Sequence, residues 1–161
     1  MLRTIQYSFP SKADGLEISC LAVVPELERN EKYRGIIQIV HGMSEYKERY
    51  IPFMEYMAER KYISVIHDHR GHGKSVRSKE DLGYMYGGGA DAMLQDIHTL
   101  NCLIKDHFPG IPLILFGHSM GSLAVRAYAA HHDSCMDMLI VCGSPSYNVF
   151  RPVGVALAKA G

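Results

Sequence analysis

The sequence predicts an α/β fold: a mostly parallel sheet with an N-terminal antiparallel hairpin and helices on both faces. Three observations carry that prediction. From residue 35 onward, short apolar runs alternate with amphipathic helical stretches, the pattern of a parallel sheet wrapped by helices. Two segments of period-two alternation precede them, joined by a turn. Three motifs rich in glycine and histidine each follow an apolar run. Sheets of this type place their ligands at those strand ends.

The hairpin comes first. Ile5, Tyr7 and Phe9 alternate in TIQYSF, as do Leu16, Ile18, Cys20, Ala22 and Val24 in LEISCLAVV, with Lys12-Ala13-Asp14-Gly15 as the turn. GIIQIV (35–40) and YISVI (62–66) are unbroken apolar runs, as expected of strands covered on both faces. Between them, Ile51, Met54, Met57 and Ala58 recur at helical spacing within residues 48–60. A glycine-rich loop leads into a second helix over 90–107, with Met93, Ile97, Leu100 and Ile104 as its stripe and Pro109-Gly110 as its stop. IPLILF (111–116) is the third parallel strand, 119–132 the third helix and MDMLIVC (136–142) the fourth strand.

A chain of 161 residues suits one domain with a sizeable core. Its 17 basic and 17 acidic side chains cancel, which argues against nucleic acid as a partner. No apolar run reaches the length of a transmembrane segment, and MLRTIQYSFPSKADG lacks the apolar centre of a signal peptide. Cys20, Cys102, Cys135 and Cys142 are widely spaced with no CxxC. They are expected to be buried, reduced thiols of a cytoplasmic protein, with neither a disulfide framework nor a zinc site.

Gly117-His118-Ser119-Met120-Gly121 matches G-x-S-x-G between a strand and a helix. That turn holds its serine in a strained backbone conformation with the hydroxyl displayed. Side chains at Gly117 and Gly121 would clash, and the Met120 amide opens the helix toward a developing oxyanion. The plainer alternative is an ordinary strand-to-helix turn with a serine cap. His41-Gly42-Met43 ends the first parallel strand, where the Met43 amide can supply a second oxyanion donor. Gly73-Lys74-Ser75 mimics the end of a phosphate-binding loop, but Asp68 stands where that pattern needs its first glycine. Asp68 and Arg70 are expected to brace the loop instead. GGGADA (87–92) fits a dinucleotide pattern only formally, because no strand precedes it. His67, His69 and His72 carry no carboxylate pattern of a known metal site. They are expected to be loop histidines bonded to backbone, with no metal and no cofactor.

Together HGMSEYKERY (41–50), DHRGHGKS (68–75), PLILFGHSMGS (112–122) and LIVCGSPS (139–146) resemble the α/β-hydrolase fold. More narrowly, they resemble the monoacylglycerol lipase and lysophospholipase branch, described as serine aminopeptidase-like. The resemblance implies Ser119 as nucleophile and the backbone amides of Met43 and Met120 as the oxyanion hole. His41, Gly42, Gly117, His118 and Gly121 stand in support. Ser122 replaces a second glycine common in relatives. The family orders its triad as serine, acid, histidine, with the acid after a later strand and the histidine after the last one. After Ser119 the chain offers only His131 and His132, about 18 Å away at the other end of a helix. The resemblance therefore implies the N-terminal part of the hydrolase core over 1–148, with the start of a lid or cap over 149–161. The expected substrate is a small acyl ester or lipid, and the expected partner a second copy or a complementing C-terminal half. The alternative is an inactive fragment or a non-catalytic binding or assembly module.

Overall fold

The computed structural model describes residues 1–146. The stretch 149–161, expected to begin a lid, lies outside the described residues. Six strands form one sheet, ordered β1-β2-β4-β3-β5-β6. β1 (Leu2–Pro10) and β2 (Glu17–Pro25) are the expected hairpin, paired from Leu2↔Pro25 to Pro10↔Glu17. The Ser11 and Leu16 backbones close its turn at 2.8 Å, with Gly15 at a φ of 70°. β2 runs antiparallel to β4 (Tyr62–His67), while β4, β3 (Gly35–Val40), β5 (Leu113–His118) and β6 (Met138–Cys142) run parallel.

Helices cover both faces, as expected. α1 (Ile51–Ala58) sets Met54 and Ala58 against Leu21, Val23, Ile37, Ile39 and Ile66. Full burial of a side chain such as Met54 stabilises this docking by roughly 2 kcal/mol. α2 (Gly89–His107) and α3 (Met120–His132) lie on the other face, where Ile97, Leu100, Val125 and Tyr128 pack with Ile18, Ile36, Ile63 and Leu115. Gln38, inside the apolar β3, donates to the Ile97 carbonyl at 2.9 Å and accepts from Asn101 at 2.9 Å. A buried amide therefore ties β3 to α2 with both its ends satisfied. No helix among the described residues is long and apolar enough to cross a membrane.

Four expectations need correcting. β2 does not alternate between core and solvent: Leu21 and Val23 are as buried as Ile18 and Cys20, because α1 covers its second face. The first helix begins at Ile51, after a single 3-10 turn over Lys47–Tyr50. Pro52 has no N–H to give an α-helical bond and is accommodated only in a first turn. The third parallel strand starts at Leu113 and takes in Gly117 and His118, because its ladder to β3 runs from Ile36↔Leu113 to Val40↔Gly117. The thiols are unpaired, yet only Cys20 is buried; Cys102 and Cys135 are half-buried and Cys142 is exposed.

Candidate active site at the strand ends

The three motifs meet at the carboxyl edge of β3, β4 and β5. Ser119 joins β5 to α3 at φ 51° and ψ −117°. A side chain at that positive φ costs on the order of 1–3 kcal/mol, supplied by the surrounding packing. The Ser119 side chain makes no capping hydrogen bond to α3, so the plain serine-cap alternative does not describe it. Its amide donates to the Cys142 carbonyl at 3.0 Å, which fixes the turn to β6. Ser122, fully buried, donates from its hydroxyl to the Ser119 carbonyl at 2.5 Å, so this departure from glycine is absorbed by a bond within the turn. Met120 is the first residue of α3, and its N–H is one of the first-turn amides that the helix leaves unpaired.

Sterics explain the glycines. A Cβ on Gly117 would sit 2.5 Å from the Gly121 carbonyl oxygen and from Val125 Cγ2. A Cβ on Gly121 would sit 2.0 Å from the Val40 carbonyl oxygen and 2.5 Å from that of His41. Gly42 lies against the serine itself: a Cβ there would be 3.1 Å from Ser119 Cβ. The HGM turn and the GHSMG turn are therefore in contact, and Met43, next along, has its side chain exposed.

Glu45 is the organising residue that sequence reasoning missed. One of its carboxylate oxygens accepts from the Gly42 amide at 2.7 Å and the Tyr50 hydroxyl at 2.8 Å, and lies 3.2 Å from His118 Nδ1. Partial burial lifts the Glu45 carboxyl, but these three bonds outweigh it and hold it below the usual carboxylate range. Its only sequence signal was its place in HGMSEY, four residues after His41. Glu45, Arg49, Tyr50, Phe53, Phe116 and His118 line a recess of about 340 Å³ beside the turn. Ser119 is not among its lining residues.

Behind this edge the histidines are structural. His41 is fully buried; its Nδ1 lies 2.7 Å from the Gly42 carbonyl and its Nε2 accepts from the His69 amide at 3.0 Å. His69 Nε2 lies 3.0 Å from the His41 carbonyl, and His72 Nδ1 lies 3.1 Å from that of Arg70. His67 departs from the expectation. It belongs to β4, and neither of its ring nitrogens has a partner among the described residues. Burial pushes His41 down to about 4 and His67 down to about 3, and it holds His69 well below its ordinary value.

These shifts set a pH dependence. In the unfolded chain the three histidines take up protons near pH 6.5, whereas in the fold burial keeps His41 and His67 neutral to about pH 4 or below and holds His69 well below its ordinary value. Their contribution to stability is complete above pH 6.5 and is lost as pH falls toward 4. Each then costs on the order of 1 kcal/mol per pH unit. Calorimetric melting should show a Tm that drops steeply from pH 6.5 to pH 5. A flat profile over that range would mean that these rings are protonated freely in the fold.

Asp68 and Arg70 brace the loop, as expected. Asp68 accepts from the Lys47 ammonium at 2.6 Å, the Lys47 amide at 2.7 Å and the Lys74 amide at 2.8 Å. Arg70 reaches Asp96 at 3.0 Å, Ser11 at 2.9 Å, Asp14 at 3.1 Å and the carbonyls of Met85 and Gly87 at 3.0 Å. One guanidinium thus joins the hairpin turn, the glycine-rich loop and α2. His131 and His132 stand at the far end of α3, about 20 Å from Ser119. Among the described residues no histidine is hydrogen-bonded to Ser119.

The family model for serine aminopeptidase, S33, matches residues 31–160. The chain is 30% identical over 129 residues to a monoacylglycerol lipase of Mycolicibacterium smegmatis, covering 78% of this chain and 44% of that protein. It is 31% identical over 109 residues to human monoglyceride lipase, covering 67% and 34%. A thermostable carboxyl esterase from Bacillus coagulans, solved in complex with glycerol, superposes with a TM-score of 0.82 at 30% identity. That match covers 98% of this chain and 49% of the esterase. The chain spans less than half the length of the curated relatives it matches. With the parallel sheet, the strand-end turn at Ser119 and a family match over most of its residues, the chain belongs to the serine aminopeptidase family of α/β hydrolases.

Proposed function

We propose that this chain carries the nucleophile and oxyanion hole of an acyl-ester hydrolase acting on monoacylglycerols, lysophospholipids or simple carboxylic esters. The observation that carries the reading is Ser119, held at positive φ, uncapped, at the N-terminus of α3 and against Gly42. Its Oγ attacks the acyl carbonyl carbon and gives its proton to a base. The Met43 and Met120 amides take the oxyanion. The alcohol leaves with a proton, and water then cleaves the acyl-serine. His41 is not that base, because both of its nitrogens are committed and burial makes its ring a weak proton acceptor. The base and its orienting acid are proposed to lie outside the described residues, in further sequence of the same protein, a complementing segment or a second copy. Support for such a partner lies in β6, whose Met138, Leu139, Ile140 and Val141 are all exposed. An apolar strand of that kind recruits another chain or segment. The unpaired thiols suit a reducing compartment, the cytoplasm.

Hydrolysis of p-nitrophenyl butyrate and of a 1-monoacylglycerol tests the reading. The assembled chain should turn over both, and Ser119→Ala should lose at least about 10³-fold in kcat/KM. A Ser119→Ala variant that retains the wild-type rate would remove Ser119 from the chemistry. Without a base, the residual rate comes from the oxyanion hole and binding alone, so the absolute rate reports whether a base is supplied.

A further inference from the structure

The geometry points to a metal site for a thiophilic divalent ion, zinc in kind, formed by His98, His132 and Cys135 at the end of α3 remote from Ser119. One ligand atom from each of these residues lies within 4.8 Å of the other two. Cys102 Sγ, outside the mutually close group, lies 3.6 Å from His98 Nε2 and is the nearest candidate for a fourth donor. Tetrahedral zinc, with bonds of about 2.0–2.3 Å, needs its ligand atoms roughly 3.3–3.8 Å apart. The cluster therefore closes on an ion through side-chain adjustments of about 1 Å.

The donors come from three places that the fold brings together. His98 and Cys102 are four residues apart on α2 and share a face. His132 ends α3, and Cys135 ends the single 3-10 turn that leads into β6. Each pair is closely spaced, His98 with Cys102 and His132 with Cys135, but the two pairs lie far apart in the chain and only the packing of α3 against α2 joins them. Support around the donors is already built. The buried Tyr128 places its hydroxyl 2.9 Å from His98 Nδ1. Tyr128 and His98 both stack on His132, at 4.6 and 4.4 Å between ring centres. A partner on one ring nitrogen fixes the tautomer and aims the other nitrogen at a metal; here the free one faces Cys102. All four donor residues are half-buried, so an ion reaches them from solvent. Nitrogen and sulfur donors without a carboxylate select zinc, cobalt or copper over magnesium or calcium. Lying about 20 Å from Ser119, the ion would staple α2 to α3 and to the turn before β6. It would stabilise the fold by linkage and take no part in the chemistry.

Cobalt(II) reports on the site directly. The reduced full chain is titrated with cobalt(II) chloride and followed by absorbance. The expected result is a thiolate-to-cobalt charge-transfer band with the intense visible bands of tetrahedral cobalt, saturating at one equivalent and displaced by zinc. Cys135→Ser and His132→Gln should each weaken binding at least about tenfold. Cys142→Ser should leave it unchanged. Circular dichroism confirms that each variant is folded. Zinc should raise the Tm of the wild-type chain and leave that of Cys135→Ser where it was. Only weak octahedral cobalt bands, or a full signal persisting in folded Cys135→Ser and His132→Gln, would overturn the site and leave a packed histidine–tyrosine stack.

Discussion

Gly121→Ala should leave the chain unable to fold. The added methyl carbon would lie 2.0 Å from the Val40 carbonyl oxygen, 2.5 Å from that of His41 and 2.7 Å from the Val40 carbonyl carbon. All three are backbone atoms of the strand end that carries the HGM turn, so no side chain can swing aside. To admit the methyl, α3 must retreat from β3 by more than about 1 Å, in an interior packed as densely as an organic crystal. That retreat would open the contacts of Val125 and Tyr128 with the sheet. The expected loss exceeds about 4 kcal/mol, against a total near 5–15 kcal/mol for a domain. Gly87→Ala is the control, because a Cβ there meets nothing within 4 Å and its φ is not positive. Denaturant titration should show Gly87→Ala within about 0.5 kcal/mol of wild type and Gly121→Ala without a cooperative transition. A stable Gly121→Ala chain would show that the close approach of α3 to β3 is not required.

Asp68→Ala comes second in expected effect. Asp68 is fully buried, and its partner Lys47 is 1% exposed. Removing the carboxylate leaves the buried Lys47 ammonium with Glu48 alone, 3.2 Å away, and leaves two backbone amides, of Lys47 and Lys74, without that acceptor. Breaking one side of a buried pair costs about 3–5 kcal/mol. The pair's net contribution is much smaller, because desolvation offsets most of the attraction. Lys47→Met should therefore recover much of the loss when added to Asp68→Ala. Chemical denaturation of the wild-type, both single and double variants gives the coupling. A loss under about 1 kcal/mol in Asp68→Ala would mean that Glu48 or water compensates the Lys47 ammonium.

How far these features could be read in the sequence follows from how local each one is. Period-two alternation announced the hairpin, and the apolar runs announced β3 and β4, because those patterns are written within six to nine residues. The turn at Ser119 was legible for the same reason: five consecutive residues impose it. What stayed hidden depends on partners distant in the chain. Leu21 and Val23 look like the solvent face of β2 until α1 covers them. Arg70 was expected to brace a loop, but its reach to Asp14 and Asp96 joins residues 56 and 26 positions apart. Glu45 shows its role only once β5 brings His118 beside it. His67 looked like a loop residue because the run ends at Ile66; pairing with Cys20 draws it into the sheet.

Ser119 is proposed to be a nucleophile displayed beside an oxyanion site. This role is tested most directly by exposing the folded, assembled chain to a fluorophosphonate and locating the adduct by peptide mass spectrometry, with Ser119→Ala in parallel. The expected result is a single covalent adduct, on Ser119, absent from Ser119→Ala. No adduct on a chain shown to be folded, or an adduct that persists in Ser119→Ala, would contradict it.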